Sequence, residues 1–509
     1  MSVFFVMTAI RWMTLPRTSG DGMPGNGGIR LKVSVGELWG HAVANITPSA
    51  MPAVTIALVA IHGGSFTWLA YALIGVLMTL VALQVGILAR HFPSPGSLFF
   101  YLSKALHPVS GMVAGFTMMA GYLGALAAAP LLGGLFVEQA LRFFWPVSGA
   151  GWIAGIGALY LLVAWRLALR GIEISARWGL WVEIFSILCI VFIATATLGH
   201  FGWRDPAQWN FQQLHTAPLA QALILSLLAY GGFETAGNLA GETSAARTAI
   251  PRVMVLSVLM VGGFFVAMAY IEVLAFAQIP TPLGDSAAPL NAIAKAIGHP
   301  WLGIFSDLAM ATAAFSATIA TLNSISRILH SMAGHGVIPR FFHHRDLRHG
   351  TPARALRVLA IIVLISMAVV TLWKIPILSV VGTFGTFTGL AFLLLYGLAN
   401  IATPWFLFRQ RHAWRWISLL IAGISLPLLV KVMAVSLWPL PGGGEGIATL
   451  MSWNQSLWIG TLRLIPGARR ARLVVTQGIN PVMQINRSSH LCHPFGRYPR
   501  PALGKSLHR

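Results

Sequence analysis

Two short runs of this sequence put helix-breaking residues and hydrogen-bonding side chains inside otherwise apolar stretches. The first is ANITPSAMP, Ala44 to Pro52. Pro48 has no amide hydrogen and clashes with the carbonyl four residues earlier, and Pro52 repeats the break. Asn45, Thr47 and Ser49 add polar side chains. The second run is AYGGFETAGN, Ala229 to Asn238. Gly231 and Gly232 permit unwinding and close backbone approach. Phe233 follows as an aromatic cover, and Glu234 is an acid within an apolar segment. The C-terminal end of a half-helix favours cations and the N-terminal end favours anions. Two such breaks together offer a site for an ammonium group and a site for a carboxylate. A plain proline kink, and an acid that only ties down a broken helix, are the structural alternatives.

The elements that must position these runs are membrane helices. The chain has 509 residues, of which 56% are hydrophobic and 9% charged, against roughly 25% charged in a soluble domain. Its mean hydropathy is +0.75. A spanning helix needs about 20 mostly apolar residues, and about twelve segments qualify, the last of them weakly. The strong ones begin near Val35, Thr67, Gly111, Gly151, Ile174, Ala217, Val253, Trp301, Ala355, Pro376 and Ile417; the weak one runs from Gly446 to Ile465. Each break then falls in the first helix of a five-helix half. Interrupted helices at matching places of two halves point to a transporter's binding site, because unwound backbone in a membrane must line a cavity or be buried in protein.

The net charge of +21 would suggest nucleic acid in a soluble protein. Here its placement is a topology signal. Only Arg142, Arg204, Lys295, Lys374 and Lys431 of the 34 Lys and Arg residues lie on the side opposite the N-terminus. By the positive-inside rule the N-terminus is cytoplasmic. The expected plan is a disordered N-terminal extension over 1–34, a transporter domain over 35–466 and a basic, disordered cytoplasmic tail over 467–509. Within the domain, repeat one spans about 35–199, repeat two about 217–408, and helices 11 and 12 about 414–466. The segment from Pro282 to His299 reads as a short amphipathic helix on the outer face.

Proton coupling needs a group that changes charge, often a desolvated carboxylate. Glu234 and Glu183, in the fifth helix, are the coupling candidates; Glu272 and Asp307 lie nearer helix ends and receive no role. Tyr122, Phe384 and Phe387 are candidate cavity liners. No HExxH, paired His/Cys spacing or GxxxxGK[ST] loop occurs, so no enzyme, metal or cofactor is expected. The two cysteines, Cys189 and Cys492, make no disulfide framework.

Four ordered stretches are similar to bacterial members of the amino acid–polyamine–organocation permease superfamily. They are RHFPSPGSLFFYLSKALHPVSGMVAGF from Arg90, LRGIEISARWGLWVE from Leu169, LAYGGFETAGNLAGETSAARTAIPRV from Leu228, and NSISRILHSMAGHGVIPRFF with TPARAL from Asn323. The resemblance implies an all-α integral membrane protein of about twelve transmembrane helices, with the LeuT-like five-plus-five inverted repeat and helices 1 and 6 unwound. It implies substrate against Ile46, Thr47, Ser49 and Ala50 on one side and Tyr230, Gly231, Gly232, Phe233 and Glu234 on the other. Phe233 would be an aromatic gate, and Glu242, Arg247 and Arg252 would hold an inner gate by ion pairing. The chain departs from the pattern in TPSAMP where relatives are Gly-rich, in Gln84 where many have an acid, in a loop lacking Asn-Pro, and in a fifth helix without an internal lysine. The expected function is secondary transport of amino acids or related amines across the cytoplasmic membrane, by proton symport or by exchange for a counter-substrate. The alternative is a non-transporting sensor of the same family. The expected partners are the substrate and the lipid bilayer, with no nucleic acid; oligomeric state is left open.

Overall fold

The computed structural model describes residues 33–437, apart from 146–148, 215, 244, 287 and 347–348. The expected weak span at Gly446–Ile465, the basic tail and residues 1–32 lie outside the described residues. Val33 and Ser34 already belong to the folded body. Val33 N–H donates to the Glu242 carbonyl at 2.9 Å, and Ser34 caps the first helix in a reciprocal box with Glu37.

Helix α1 (Val35–Ile46) stops at Thr47, whose φ of 56° and ψ of 57° lie in the left-handed region. That conformation is a real outlier for a β-branched residue. A single 3₁₀ turn, Pro48–Ala50, leads into α2 (Met51–Gly63). Pro52 sits in the first turn of α2, where an amide has no intrahelical partner to lose. It therefore opens a helix instead of breaking one a second time. Helices α3 (Thr67–His91), α4 (Leu98–Ala105), α5 (Pro108–Arg142), α6 (Ala150–Leu169) and α7 (Ile172–Phe201) follow. Helix α8 (Thr216–Leu227) passes through the 3₁₀ turn Leu228–Tyr230 to Gly231 and Gly232, then into a second 3₁₀ stretch, Phe233–Leu239. Regular helix resumes in α9 (Ala246–Phe276), earlier than the expected Val253. It continues in α10 (Pro289–Ala296), α11 (Leu302–Gly334), α12 (Ala353–Leu372), α13 (Ile377–Arg409) and α14 (Arg415–Leu437). Helix α10 is short, and Leu290, Ile293 and Ala294 form its buried face.

Among the described residues the fold is helical, apart from one isolated bridge between Val33 and Thr243. Among the described residues, nine helical stretches are long and apolar enough to cross a membrane, with α1 to α3 counted as one stretch, Val35–His91. The 12-residue α8 is too short to be among them. The chain is therefore a multi-pass membrane protein. Burial separates centre from rim: 67% of the apolar window of α11 is inside the protein, against 28% for α6. Rim helices turn large apolar residues outward, such as Leu159 on α6 and Ile361 and Ile365 on α12, as a lipid-facing surface requires.

Helix α9 lies along α3, α11 packs between α5 and α7, α13 packs on α5, and α2 packs on α8. Gln84, in place of an acid, is fully buried and paired. Its Nε2 donates to the Ser418 carbonyl and its Oε1 accepts from Ser418 Oγ, both at 2.7 Å, tying α3 to α14. Small residues set the close crossings, as is usual between membrane helices. A Cβ on Gly134 of α5 would lie 2.1 Å from the Ile153 carbonyl oxygen of α6.

Gly134→Ala is accordingly expected to cost about 1–3 kcal/mol, as overpacking does. The check is thermal melting of the detergent-purified protein, in which Gly134→Ala should melt lower. Gly151→Ala, at an α6 position with no neighbouring atom within 4 Å, should not.

Candidate substrate site at the two helix breaks

The two breaks touch. Gly232 has φ 111°, which only glycine adopts without strain. A Cβ built on it would lie 2.7 Å from the Asn45 carbonyl oxygen and 3.1 Å from the Ile46 amide nitrogen. Both the turn and the contact with the first break thus require glycine here. Ile46, Ser49, Ala50, Tyr230, Gly232, Phe233 and Glu234 are all buried, while Thr47 and Gly231 are partly so.

A carboxylate closes each break. At the first, Glu183 Oε1 from α7 accepts from Ser49 Oγ at 2.7 Å and from Ser49 N–H at 3.3 Å. Its second oxygen is buried without a hydrogen-bond partner. Thr47 Oγ1 turns back to the Ala44 carbonyl at 3.1 Å. Asn45 donates to the His41 carbonyl at 2.9 Å and accepts from Ser324 Oγ of α11 at 3.4 Å.

At the second break Glu234 accepts from Tyr122 of α5 through Oε1. Its Oε2 accepts from Tyr396 of α13 at 2.8 Å and from Gly232 N–H at 3.3 Å. Glu234 thereby fastens the unwound turn to two neighbouring helices, so a substrate amine would compete with tyrosine hydroxyls for it. The ring of Phe233 stacks on Tyr396 with centroids 5.2 Å apart and planes 24° apart. Phe392 covers Gly231, where a Cβ would meet its ring at 2.6 Å, and meets Tyr122 edge-on at 5.1 Å. Phe384 and Phe387 lie beside Gly124 of α5. Tyr230 donates to the Tyr71 carbonyl at 2.9 Å.

Glu242 lies just beyond the second 3₁₀ stretch. Its partner is Arg327 of α11, with Nε to Oε1 at 3.1 Å and Nη2 to Oε2 at 3.2 Å. Arg327 Nη1 also donates to the Asn323 carbonyl and to its side chain, at 3.2 and 3.3 Å. The main-chain carbonyl of Glu242 holds Val33. One residue therefore joins the segment before α1, the end of the second break and α11 on a single face of the bundle. Arg247 and Arg252 stand on the first turns of α9, and Arg252 lies within electrostatic reach of Arg90. Sequence reasoning missed Arg327, Tyr396 and Phe392. Arg327 is the one Lys or Arg of α11, and that isolation was the available signal. Nothing local marks the two aromatics.

A model of the family described as amino acid permease matches residues 41–439. The chain is 24% identical over 310 residues to the low-affinity putrescine importer PlaP of Escherichia coli K12, covering 58% of this chain and 66% of that protein. It is 24% identical over 314 residues to the L-asparagine permease of Salmonella typhimurium, covering 58% and 60%. It is 27% identical over 327 residues to L-asparagine permease 1 of Mycobacterium tuberculosis H37Rv, covering 60% and 63%. The matched stretches thus span just under two thirds of each relative.

Loss of the Glu242–Arg327 pair should loosen the end of the bundle that it ties together. In a Ser49→Cys reporter that also carries Cys189→Ser and Cys492→Ser, Arg327→Ala is expected to raise labelling by a membrane-impermeant thiol reagent from that end by about tenfold, the equivalent of about 1.4 kcal/mol. The charge swap Glu242→Arg with Arg327→Glu should return the rate toward that of the parent.

Proposed function

The chain belongs to the amino acid permease family, and from that premise we propose that it is a secondary transporter carrying amino acids or related amines across the cytoplasmic membrane by alternating access. The contact of Gly232 with Asn45 and Ile46 carries this reading, because it joins the two interrupted helices at one buried point. The substrate would contact Ile46, Thr47, Ser49 and Ala50 on one side and Tyr230 to Glu234 on the other. The C-terminal ends of α1 and α8 suit its ammonium group. The N-terminal ends of α2 and of the 3₁₀ stretch from Phe233 suit a carboxylate. Relatives that carry a diamine and an amino acid make both chemistries reasonable here.

The same reading supplies the architecture: twelve helices in a LeuT-like five-plus-five inverted repeat, with repeats near 35–199 and 217–408 and two further helices over 414–466. Its support is that α2 packs on α8, α3 on α9 and α5 on α11, each helix of one half against its counterpart in the other. The basic loops favour a cytoplasmic N-terminus by the positive-inside rule, and on that reading the Glu242–Arg327 pair would be the inner gate, with Arg247 and Arg252 beside it. Phe233, stacked on Tyr396 over the break, would act as the gate next to the substrate.

Coupling falls to Glu183 in preference to Glu234. Glu234 has donors on both oxygens, whereas Glu183 keeps one oxygen unpartnered while the other holds Ser49. A proton on Glu183 would weaken its grip on the first break, linking proton binding to the geometry of the substrate pocket.

Uptake into proteoliposomes tests the proposal. Labelled amino acids and amines are expected to accumulate under an inward proton gradient. Glu183→Gln is expected to abolish that accumulation while preserving exchange into vesicles preloaded with unlabelled substrate. Uptake confined to preloaded vesicles in the wild type would make the protein an exchanger. Binding without uptake under every condition would make it a non-transporting relative.

A further inference from the structure

Glu272 stands one turn before the end of α9, on the face opposite the Glu242–Arg327 pair. It is fully buried, and both its carboxylate oxygens lack a hydrogen-bond partner. The other acids buried within the bundle are accounted for. Glu37 pairs with Arg177, Glu138 pairs with Arg142, Asp307 accepts from Asn291, Glu183 holds Ser49 and Glu234 has three donors. A carboxylate taken out of water without a partner is costly, so a native fold that keeps one calls for an explanation.

A second unpartnered group lies nearby. The hydroxyl of Tyr71, near the start of α3, is likewise buried without a partner and is within electrostatic reach of Glu272. Among the described residues no cation pairs with Glu272. Helices α2 and α8 carry no lysine or arginine, Arg90 is at the opposite end of α3, Lys295 of α10 is exposed, and Arg204, which lines a cavity with Tyr270 and Ile271, is exposed and lies over the Trp203 ring. A carboxylate oxygen and a hydroxyl oxygen can each accept from an ammonium N–H. Aromatic rings adjoin the place: Phe265 meets Tyr71 at 5.6 Å and Tyr230 at 5.2 Å.

The location connects two other features. Tyr230 of the second break donates to the main chain of Tyr71. In the other direction, Val273 and Phe276, next to Glu272 on α9, line a cavity of about 380 Å³ that also carries Asp205 and Asp285. We propose that Glu272 and Tyr71 form a binding subsite for an ammonium group of the substrate, on the approach from this cavity to the helix breaks. The inference rests on the transport reading above and adds a selectivity to it. Substrates with a second amino group, linear diamines above all, would gain affinity that neutral amino acids do not.

The test uses the full chain in detergent and in proteoliposomes, with 1,4-diaminobutane and neutral α-amino acids as probes. Calorimetric binding of the diamine is expected to weaken at least tenfold in Glu272→Gln and several-fold in Tyr71→Phe. Neutral amino acid affinity should stay within about twofold. Ligand-free Glu272→Gln should melt no lower than the wild type, because it removes an unpaired buried carboxylate. Glu272→Asp keeps the charge and should retain part of the diamine preference, which covers the case of a Gln variant that does not fold. Equal diamine affinity in wild type and Glu272→Gln would overturn the subsite, as would wild-type protein that does not bind the diamine. So would a Gln variant that loses proton-driven uptake of both ligand classes alike, which would make Glu272 a proton carrier. Diamine binding without uptake would count against transport and leave the subsite standing.

Discussion

A broken helix in a membrane has to satisfy its freed backbone groups without water, and the rest of this structure follows from how that is done. Each break faces the other, and each is closed by a carboxylate from the chain's own interior. Glu183 takes the amide and hydroxyl of Ser49. Glu234 takes the amide of Gly232 and two tyrosine hydroxyls. Among the described residues neither acid forms an ion pair. The cost of burying them is offset by hydrogen bonds to backbone and hydroxyl donors, which serve a carboxylate well in a dry site.

That arrangement constrains the neighbours. Tyr122 and Tyr396 must come from helices close enough to reach one carboxylate, so α5 and α13 both crowd the second break. Gly231 and Gly232 must stay bare, one under Phe392 and the other against Asn45. Thr47 holds a backbone conformation that a β-branched residue avoids, the kind of strain a fold keeps only where surrounding contacts enforce it. Local strain, missing side chains and buried charge all concentrate within a few residues of one another. Farther away the helices obey ordinary membrane rules: small residues at crossings and large apolar ones outward.

The breaks were legible in the sequence because proline and glycine punctuate locally. Thr47-Pro48 and Gly231-Gly232 need no long-range knowledge to be read as interruptions. Helix starts at Val35 and Thr67 were legible for a similar reason, since a Ser cap or a polar junction marks the change. Pro52 was read as a second interruption because its residue type is visible but its place within the turn is not. At the first turn of α2 the missing amide is no loss. Arg327 and Tyr396 were hidden because their roles depend on partners 85 and 162 residues away. Gln84 stood out as a departure from a family pattern, yet its amide is fully engaged by Ser418, a pairing that no local pattern encodes.

The interior acids sort by how completely their oxygens are matched. A carboxylate with every oxygen occupied can release a partner only by breaking a bond it already has, which suits an anchor; Glu234 is in that position. A carboxylate with one oxygen engaged and one bare can take a proton or a cation without first letting go, and the result is felt by the group it holds. Glu183 is so placed, and what it holds is the turn between α1 and α2. A carboxylate with both oxygens bare holds nothing in this conformation, so it is free to be neutralised by a proton or by a cation; Glu272 is that case.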